Sequence, residues 1–255
     1  MALTLKKSLG QHFLHDENMC RRIVAQVTRY PGLKLLEIGP GGGAISKYLL
    51  TWDDTDYKAI EVDDEKVEYL PKAFPAFAGK LIHMDFLKAP VPFEGDFSII
   101  GNFPYNISSQ ILFRILDWED QVDEVTGMFQ KEVAQRVAAR EGSKTYGILS
   151  VLIQAFFTTE YLFDVPPGCF TPPPKVMSGI LKLTNSHNPY GIENKKAFVQ
   201  IVKAAFNQRR KMLRNALKGL FPPEHLEQEL FAKRAEQLSV ADFVGLYRDY
   251  IKLKV

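Results

Sequence analysis

Two cysteines, Cys20 and Cys169, are too few to form a disulfide framework, so the fold must rest on an apolar core. No run of about 18 apolar residues occurs, and no segment is a candidate to span a bilayer. The segment Met1–Leu14 carries lysines but lacks the apolar stretch of a secretory signal, which makes the cytoplasm the expected address. The histidines, His12, His15, His83, His187 and His225, share no ligand spacing with the cysteines, and no metal site is expected. Internal repeats and low-complexity tracts are also missing, so nothing suggests a repeat architecture. Charge of one sign is not in excess over the whole chain, since 32 Lys and Arg face 30 Asp and Glu.

What is present is an ordinary globular composition, 46% hydrophobic and 24% charged, spread over 255 residues. That is enough for one large domain, or a main domain with a small companion. The charge divides unevenly. Residues 1–185 carry 19 Lys and Arg against 23 Asp and Glu, whereas residues 186–255 carry 13 against 7. A basic C-terminal part on an otherwise acidic chain points to a polyanionic partner.

Through residue 185, short apolar runs alternate with amphipathic stretches. Strands are expected at Leu33–Ile38, Tyr57–Val62, Lys80–His83, Phe97–Gly101, Glu124–Phe129 and Gly179–Leu183. Helices are expected at Ala44–Leu50, Asp64–Ala73, Ser108–Leu116 and Lys131–Arg140. Such alternation predicts an α/β domain with a mainly parallel sheet covered on both faces. The turn-rich Asn185-Ser-His-Asn-Pro-Tyr-Gly191 separates it from a small all-α domain, giving expected domains of 1–185 and 186–255.

The segment Leu35-Leu-Glu-Ile-Gly-Pro-Gly-Gly-Gly43 is a strand running into a glycine loop. Gly39 and Gly41 let the backbone approach a ligand closely, and Glu61 ends the next strand at the separation where an acid reaches ribose hydroxyls. These features indicate an adenosine-containing cofactor. The glycines also satisfy the dinucleotide fingerprint, so a nicotinamide dehydrogenase is a competing reading. Glu37 tilts the choice, because a carboxylate just before the loop repels a pyrophosphate and suits an ammonium or sulfonium. S-adenosylmethionine carries both cations and no phosphate. Asp85, at the end of the third strand, is placed to accept a hydrogen bond from the adenine amino group.

After the fourth strand comes Asn102-Phe-Pro-Tyr105, which looks like the signature of methyltransferases acting on the amino groups of nucleobases. With Lys7-Ser-Leu-Gly-Gln-His-Phe-Leu14, Gln130-Lys-Glu-Val133, Gly142-Ser-Lys-Thr-Tyr-Gly147, Phe170-Thr-Pro-Pro-Pro-Lys-Val-Met-Ser178 and Asn207-Gln-Arg-Arg-Lys-Met-Leu-Arg-Asn215, nearly the whole chain resembles the ribosomal RNA adenine dimethyltransferase family. Arg234-Ala-Glu-Gln-Leu-Ser239 is most similar to the branch that dimethylates two adjacent adenosines near the 3′ end of small-subunit (16S) ribosomal RNA. The resemblance implies a Rossmann-like S-adenosylmethionine-dependent methyltransferase sheet, with His12 and Leu14 at the cofactor entrance, Gly39 at its methionine end, Glu61 at the ribose, Asp85 at the adenine and Asn102 at the reacting end. It also implies a role in small-subunit biogenesis, with a pre-assembled small subunit as partner and a monomeric enzyme. Phe103 stands where the family usually has Leu, His12 where Asn is also common, and Ala235 where Pro is frequent.

The chemistry follows from the residue types. An exocyclic adenine amine is a poor nucleophile because its lone pair is delocalised into the ring. Two acceptors holding its N–H bonds, the Asn102 side-chain oxygen and the Pro104 carbonyl, can turn that lone pair toward a sulfonium methyl. Tyr105 and Phe170 are expected to sandwich the extruded base. Arg209, Arg210, Lys211, Arg214 and Lys218, with no acid among them, lie outside an apolar stripe of Val202, Phe206, Leu213, Leu217 and Leu220 and suit a phosphate backbone, with Lys6 and Lys7 as additions. Two further alternatives are a large-subunit RNA methylase of the antibiotic-resistance branch and an RNA-binding assembly factor with an idle site.

Overall fold

A computed structural model describes residues 12–254, which form two compact units. The first contains residues up to Ala134 together with Glu160–Asn185, and the second contains Gln135–Thr159 with residues from Ser186 onward. The expected boundary after Asn185 coincides with one division. The expected assignment of residues 135–159 to the first unit does not, because the apolar face of a helix in this segment packs within the second.

In the first unit the strands are β1 (Phe13–Leu14), β2 (Lys34–Ile38), β3 (Asp56–Glu61), β4 (Leu81–His83), β5 (Phe97–Asn102), β6 (Val122–Gln130), β7 (Phe157–Val165, which begins in the second unit), β8 (Phe170–Thr171) and β9 (Ser178–Asn185). Among the described residues, seven strands form one sheet in the order β4-β3-β2-β5-β6-β9-β7. The pairs from β4 through β6 are parallel, and β9 joins β6 antiparallel. Leu35 to Ile38 are all buried, as a central parallel strand covered on both faces requires. The order reverses between β2 and β5, so the crevice at their carboxyl ends is the place where open α/β sheets take ligands. β1 pairs separately with β8, placing Leu14 opposite Phe170 and Phe13 opposite Thr171.

The helices of this unit are α1 (Glu17–Val24), α2 (Ser46–Leu49), α3 (Asp64–Ala73), α4 (Ser108–Asp117) and α5 (Lys131–Val137, which ends in the second unit). Asp63 caps α3 by accepting from the Glu65 amide, and the acids Asp64 and Glu65 occupy its first turn, where the helix dipole favours them. In α4, Ile111, Leu112, Ile115 and Leu116 recur at helical spacing and are buried. The helix expected over Ala44–Leu50 is a single turn preceded by turn structure, and the one expected to reach Arg140 stops at Val137. The strand β7 escaped the sequence reading because Phe157-Thr-Thr-Glu-Tyr-Leu-Phe-Asp-Val165 lacks clean alternation.

The second unit holds α6 (Ile148–Gln154), α7 (Lys195–Asn207), α8 (Leu213–Ala216), α9 (Pro223–Leu226) and α10 (Val240–Lys252). Leu149, Val151, Leu152 and Ile153 of α6 are buried, and α6 packs on α7 and α10. An aromatic core joins these pieces, with Phe198 edge-on to both Phe156 and Tyr247 and Phe206 stacked on Phe243. The stripe expected to run unbroken through residues 202–220 is split, since α7 ends at Asn207 and α8 begins at Leu213. Among the described residues no helix is long and apolar enough to cross a membrane.

Candidate active site

A cavity of about 300 Å³ opens at the carboxyl ends of β2, β3 and β5. Its wall contains each residue expected at the cofactor, namely His12, Leu14, Glu37, Gly39, Gly41, Glu61, Asp85 and Asn102, together with Pro104 and Tyr105. These residues come from separate chain segments; the parallel register brings those from β2, β3, β4 and β5 to the carboxyl ends of the strands, and His12 and Leu14 are added from the segment of β1.

Gly39 and Gly41 have φ of +68° and +58°, a region that side chains rarely adopt. The loop is braced from the next strand, where the Glu61 carboxylate accepts the Gly41 amide at 3.2 Å and the Val62 and Asp63 amides at 2.9 and 3.0 Å. Glu37 is fully buried, with one oxygen accepting the Ser46 hydroxyl at 2.9 Å and the other the Tyr57 hydroxyl at 2.5 Å. Burial pushes the Glu37 carboxyl up to about 7, outweighing the two hydroxyls that favour its charged form; the nearby Glu61 adds to the rise. One Asp85 oxygen caps the short turn Phe86–Lys88 by accepting the Leu87 amide at 3.0 Å.

The Asn102–Tyr105 segment leaves the end of β5. Asn102 Nδ2 donates a long hydrogen bond, 3.4 Å, to the His12 carbonyl, and its Oδ1 is the acceptor that remains. The Pro104 carbonyl accepts from the Ile107 amide at 3.3 Å and from the Ser108 hydroxyl at 3.2 Å, both long. The Tyr105 hydroxyl shares a hydrogen bond of 2.5 Å with Ser178, and burial raises its pKa. Its ring stacks on His12 with centroids 5.7 Å apart, and His12 Nδ1 lies 2.8 Å from the Pro172 carbonyl.

The wall fits an adenosine cofactor with positive charge better than a dinucleotide. It carries the carboxyl groups of Glu37, Glu61 and Asp85, and its one lysine among the described residues, Lys66, is buried within 3.8 Å of Asp63. The Gly41 amide, which would cradle a pyrophosphate, is engaged by Glu61.

A family model described as ribosomal RNA adenine dimethylase matches residues 2–252. The chain belongs to that family. It is 51% identical to the ribosomal RNA small subunit methyltransferase A of Cytophaga hutchinsonii over 94% of this chain and 95% of that protein. It is also 51% identical to the protein of the same name from Flavobacterium johnsoniae, over 94% of each chain. In fold it is similar to a dimethyladenosine transferase from Plasmodium falciparum, with a TM-score of 0.83 and 24% identity over 96% of this chain and 99% of that one. The 23S rRNA methyltransferase ErmE aligns with a TM-score of 0.68 and 24% identity, over 92% and 99% of the two chains. S-adenosylmethionine is the methyl donor of this enzyme family, and the dehydrogenase alternative is set aside.

One expected site residue lies elsewhere. Phe170 is 2% exposed and sits in the apolar core with Leu14, Val165 and Cys169, outside the cavity wall. Phe170 and its partner Leu14 are both buried in that core, while the adjacent Thr171 is exposed. His12, rather than Phe170, is the ring partner of Tyr105. The sequence reading missed Lys66, Val62 and Ile107 in the wall, although the Asp63 cap and the helix start after Glu61 place Lys66 one turn along.

In the second unit Arg209, Arg210, Lys211, Arg214 and Lys218 are exposed, while Val202, Phe206, Leu213 and Leu217 beneath them are buried and Leu220 is half-buried. Arg209 donates to the Lys144 carbonyl at 2.6 Å. Lys6 and Lys7 lie outside the described residues.

Proposed function

We propose that this chain transfers methyl groups from S-adenosylmethionine to N6 of two adjacent adenosines near the 3′ end of small-subunit ribosomal RNA, two per base. The observation that carries the reading is the Asn102 amide, held through Nδ2 at the end of β5 with Oδ1 available in a carboxylate-lined cavity. The two 51%-identical relatives named for the small subunit support the choice of RNA. Glu61, Asp85, His12, Leu14 and Gly39 hold the cofactor, which supplies an activated methyl group on sulfur. Asn102 Oδ1 and the Pro104 carbonyl accept the two N–H bonds of the target amine and aim its lone pair. No strong general base is needed, because the amine becomes acidic only once the new bond has formed. Tyr105, fixed by Ser178 and His12, supplies a face for the extruded base, a stacking interaction of about 1–3 kcal/mol. The basic face around Arg209–Lys218 holds backbone phosphates. The enzyme acts as a cytoplasmic monomer on a partly assembled small subunit.

The test is transfer of labelled methyl to purified unmethylated small subunits, with large-subunit RNA in parallel and nucleoside analysis of the product. Dimethyladenosine from the small subunit alone is expected. Labelling of large-subunit RNA alone would assign the chain to the resistance branch, and cofactor binding without transfer to either would leave an assembly factor.

A further inference from the structure

Two glycines lie directly opposite each other on adjacent parallel strands, Gly101 on β5 and Gly127 on β6. Neither has a left-handed φ, so backbone conformation does not call for glycine at these positions. Space does. A Cβ at Gly101 would stand 2.5 Å from Cε1 of Phe103, and a Cβ at Gly127 would stand 2.5 Å from Cε2 of the same ring. The ring of Phe103 therefore fills a slot made by two missing side chains. It is 1% exposed, and Phe129 closes the slot edge-on at 4.9 Å. The Phe103 amide donates to the Met128 carbonyl at 3.1 Å, carrying the strand pairing one residue past Asn102.

Phe103 sits between Asn102 and Pro104, the residues whose oxygens grip the amine in the function proposed above. Anchoring its side chain and its amide to β6 fixes both neighbours. We infer that Gly127, which is outside the cavity wall, is a positioning residue for methyl transfer: it seats the Phe103 ring and thereby sets the place of the Asn102 and Pro104 oxygens. Gly101 shares the slot, but a Cβ there would also meet the Ile38 carbonyl at 2.7 Å, so its substitution disturbs the backbone of β2 as well. Gly127 is the cleaner handle, because the atoms its Cβ would meet belong to the rings of Phe103 and Phe129.

This inference rests on Asn102 acting on the target amine, so the experiment reads position and rate separately. Wild type, Gly127→Ala and Gly127→Ala with Phe103→Leu are compared in single-turnover methylation of small subunits. Cofactor affinity is measured by calorimetry, and the Asn102 side-chain amide is followed by NMR in asparagine-labelled protein. Gly127→Ala is expected to slow transfer about tenfold or more, to keep cofactor affinity within about threefold, and to shift the Asn102 amide signal. Adding Phe103→Leu, which removes the Phe103 ring carbons that the new Cβ would meet and leaves Phe129 Cε2 at 2.5 Å to be accommodated, is expected to recover at least about half of the missing rate on a logarithmic scale and to return the signal toward its original place. A Gly127→Ala enzyme with undiminished rate, an unmoved Asn102 signal, or a double variant no faster than the single one would overturn the inference. A wild-type enzyme that transfers no methyl group while Gly127→Ala moves the Asn102 signal would instead sink the proposed reaction and leave the seat standing.

Discussion

Glu37 offers the sharpest test of the site's electrostatics. In the folded chain its carboxyl keeps a proton up to about pH 7, whereas its ordinary value in an unfolded chain is 4.5. Between those values the folded state binds the additional proton, so stability falls as pH rises. The stabilisation is fully present below pH 4.5 and is lost as pH climbs through about 7. A displacement of this size is worth roughly 3 kcal/mol, most of it between pH 5 and 8. Glu37→Gln removes the titration. Its amide retains one acceptor for the Ser46 and Tyr57 hydroxyls, a loss of about 1 kcal/mol that does not depend on pH. Urea unfolding of the cofactor-free protein at a series of pH values separates the two effects. The wild-type midpoint is expected to fall by about 1 M more than that of the variant between pH 5 and 8. Equal slopes for both proteins would refute the argument that burial governs this carboxyl. A cationic cofactor beside Glu37 favours its ionised form, so the affinity of wild type for S-adenosylmethionine is expected to rise with pH through the same window, and that of Glu37→Gln to stay flat.

Asn102→Ala is expected to reduce turnover by about 10²-fold or more while cofactor affinity weakens only modestly, which single-turnover rates and calorimetry distinguish. Phe170→Ala opens a hole in the apolar core and is expected to cost about 3–5 kcal/mol in chemical denaturation, with methylation by the remaining folded fraction preserved; unchanged stability with a diminished RNA-dependent rate would return Phe170 to the base pocket. Replacing Arg209, Arg210 and Lys211 by alanine is expected to lower the slope of log affinity against log salt by about one for each phosphate no longer neutralised, with cofactor affinity untouched.

The amino-acid order alone was sufficient for the alternation of strands and helices, the glycine loop, the acids Glu61 and Asp85, and the Asn102–Tyr105 segment. Each is a local pattern: buried parallel strands read as apolar runs, and a backbone that turns with positive φ requires glycine at Gly39 and Gly41. Local pattern also explains where α3 begins, because Asp63 and the acids after it are a helix start written in consecutive residues. Pairings between distant parts of the chain had to come from the tertiary structure. Whether Phe170 faces a ligand or joins the core depends on residues far earlier in the chain, Leu14 on the strand it pairs with among them. The state of Glu37 depends on Tyr57 and Ser46 meeting it where its side chain is buried, since burial, not sequence spacing, sets the cost of its charge. In the sequence Gly127 is one residue of the expected strand Glu124–Phe129, and only its register opposite Gly101 shows that its missing side chain makes room for Phe103. Residues 135–159 join the second unit for the same reason: the apolar face of α6 is visible in sequence, but the partner that covers it, α7 with α10, is chosen by the fold.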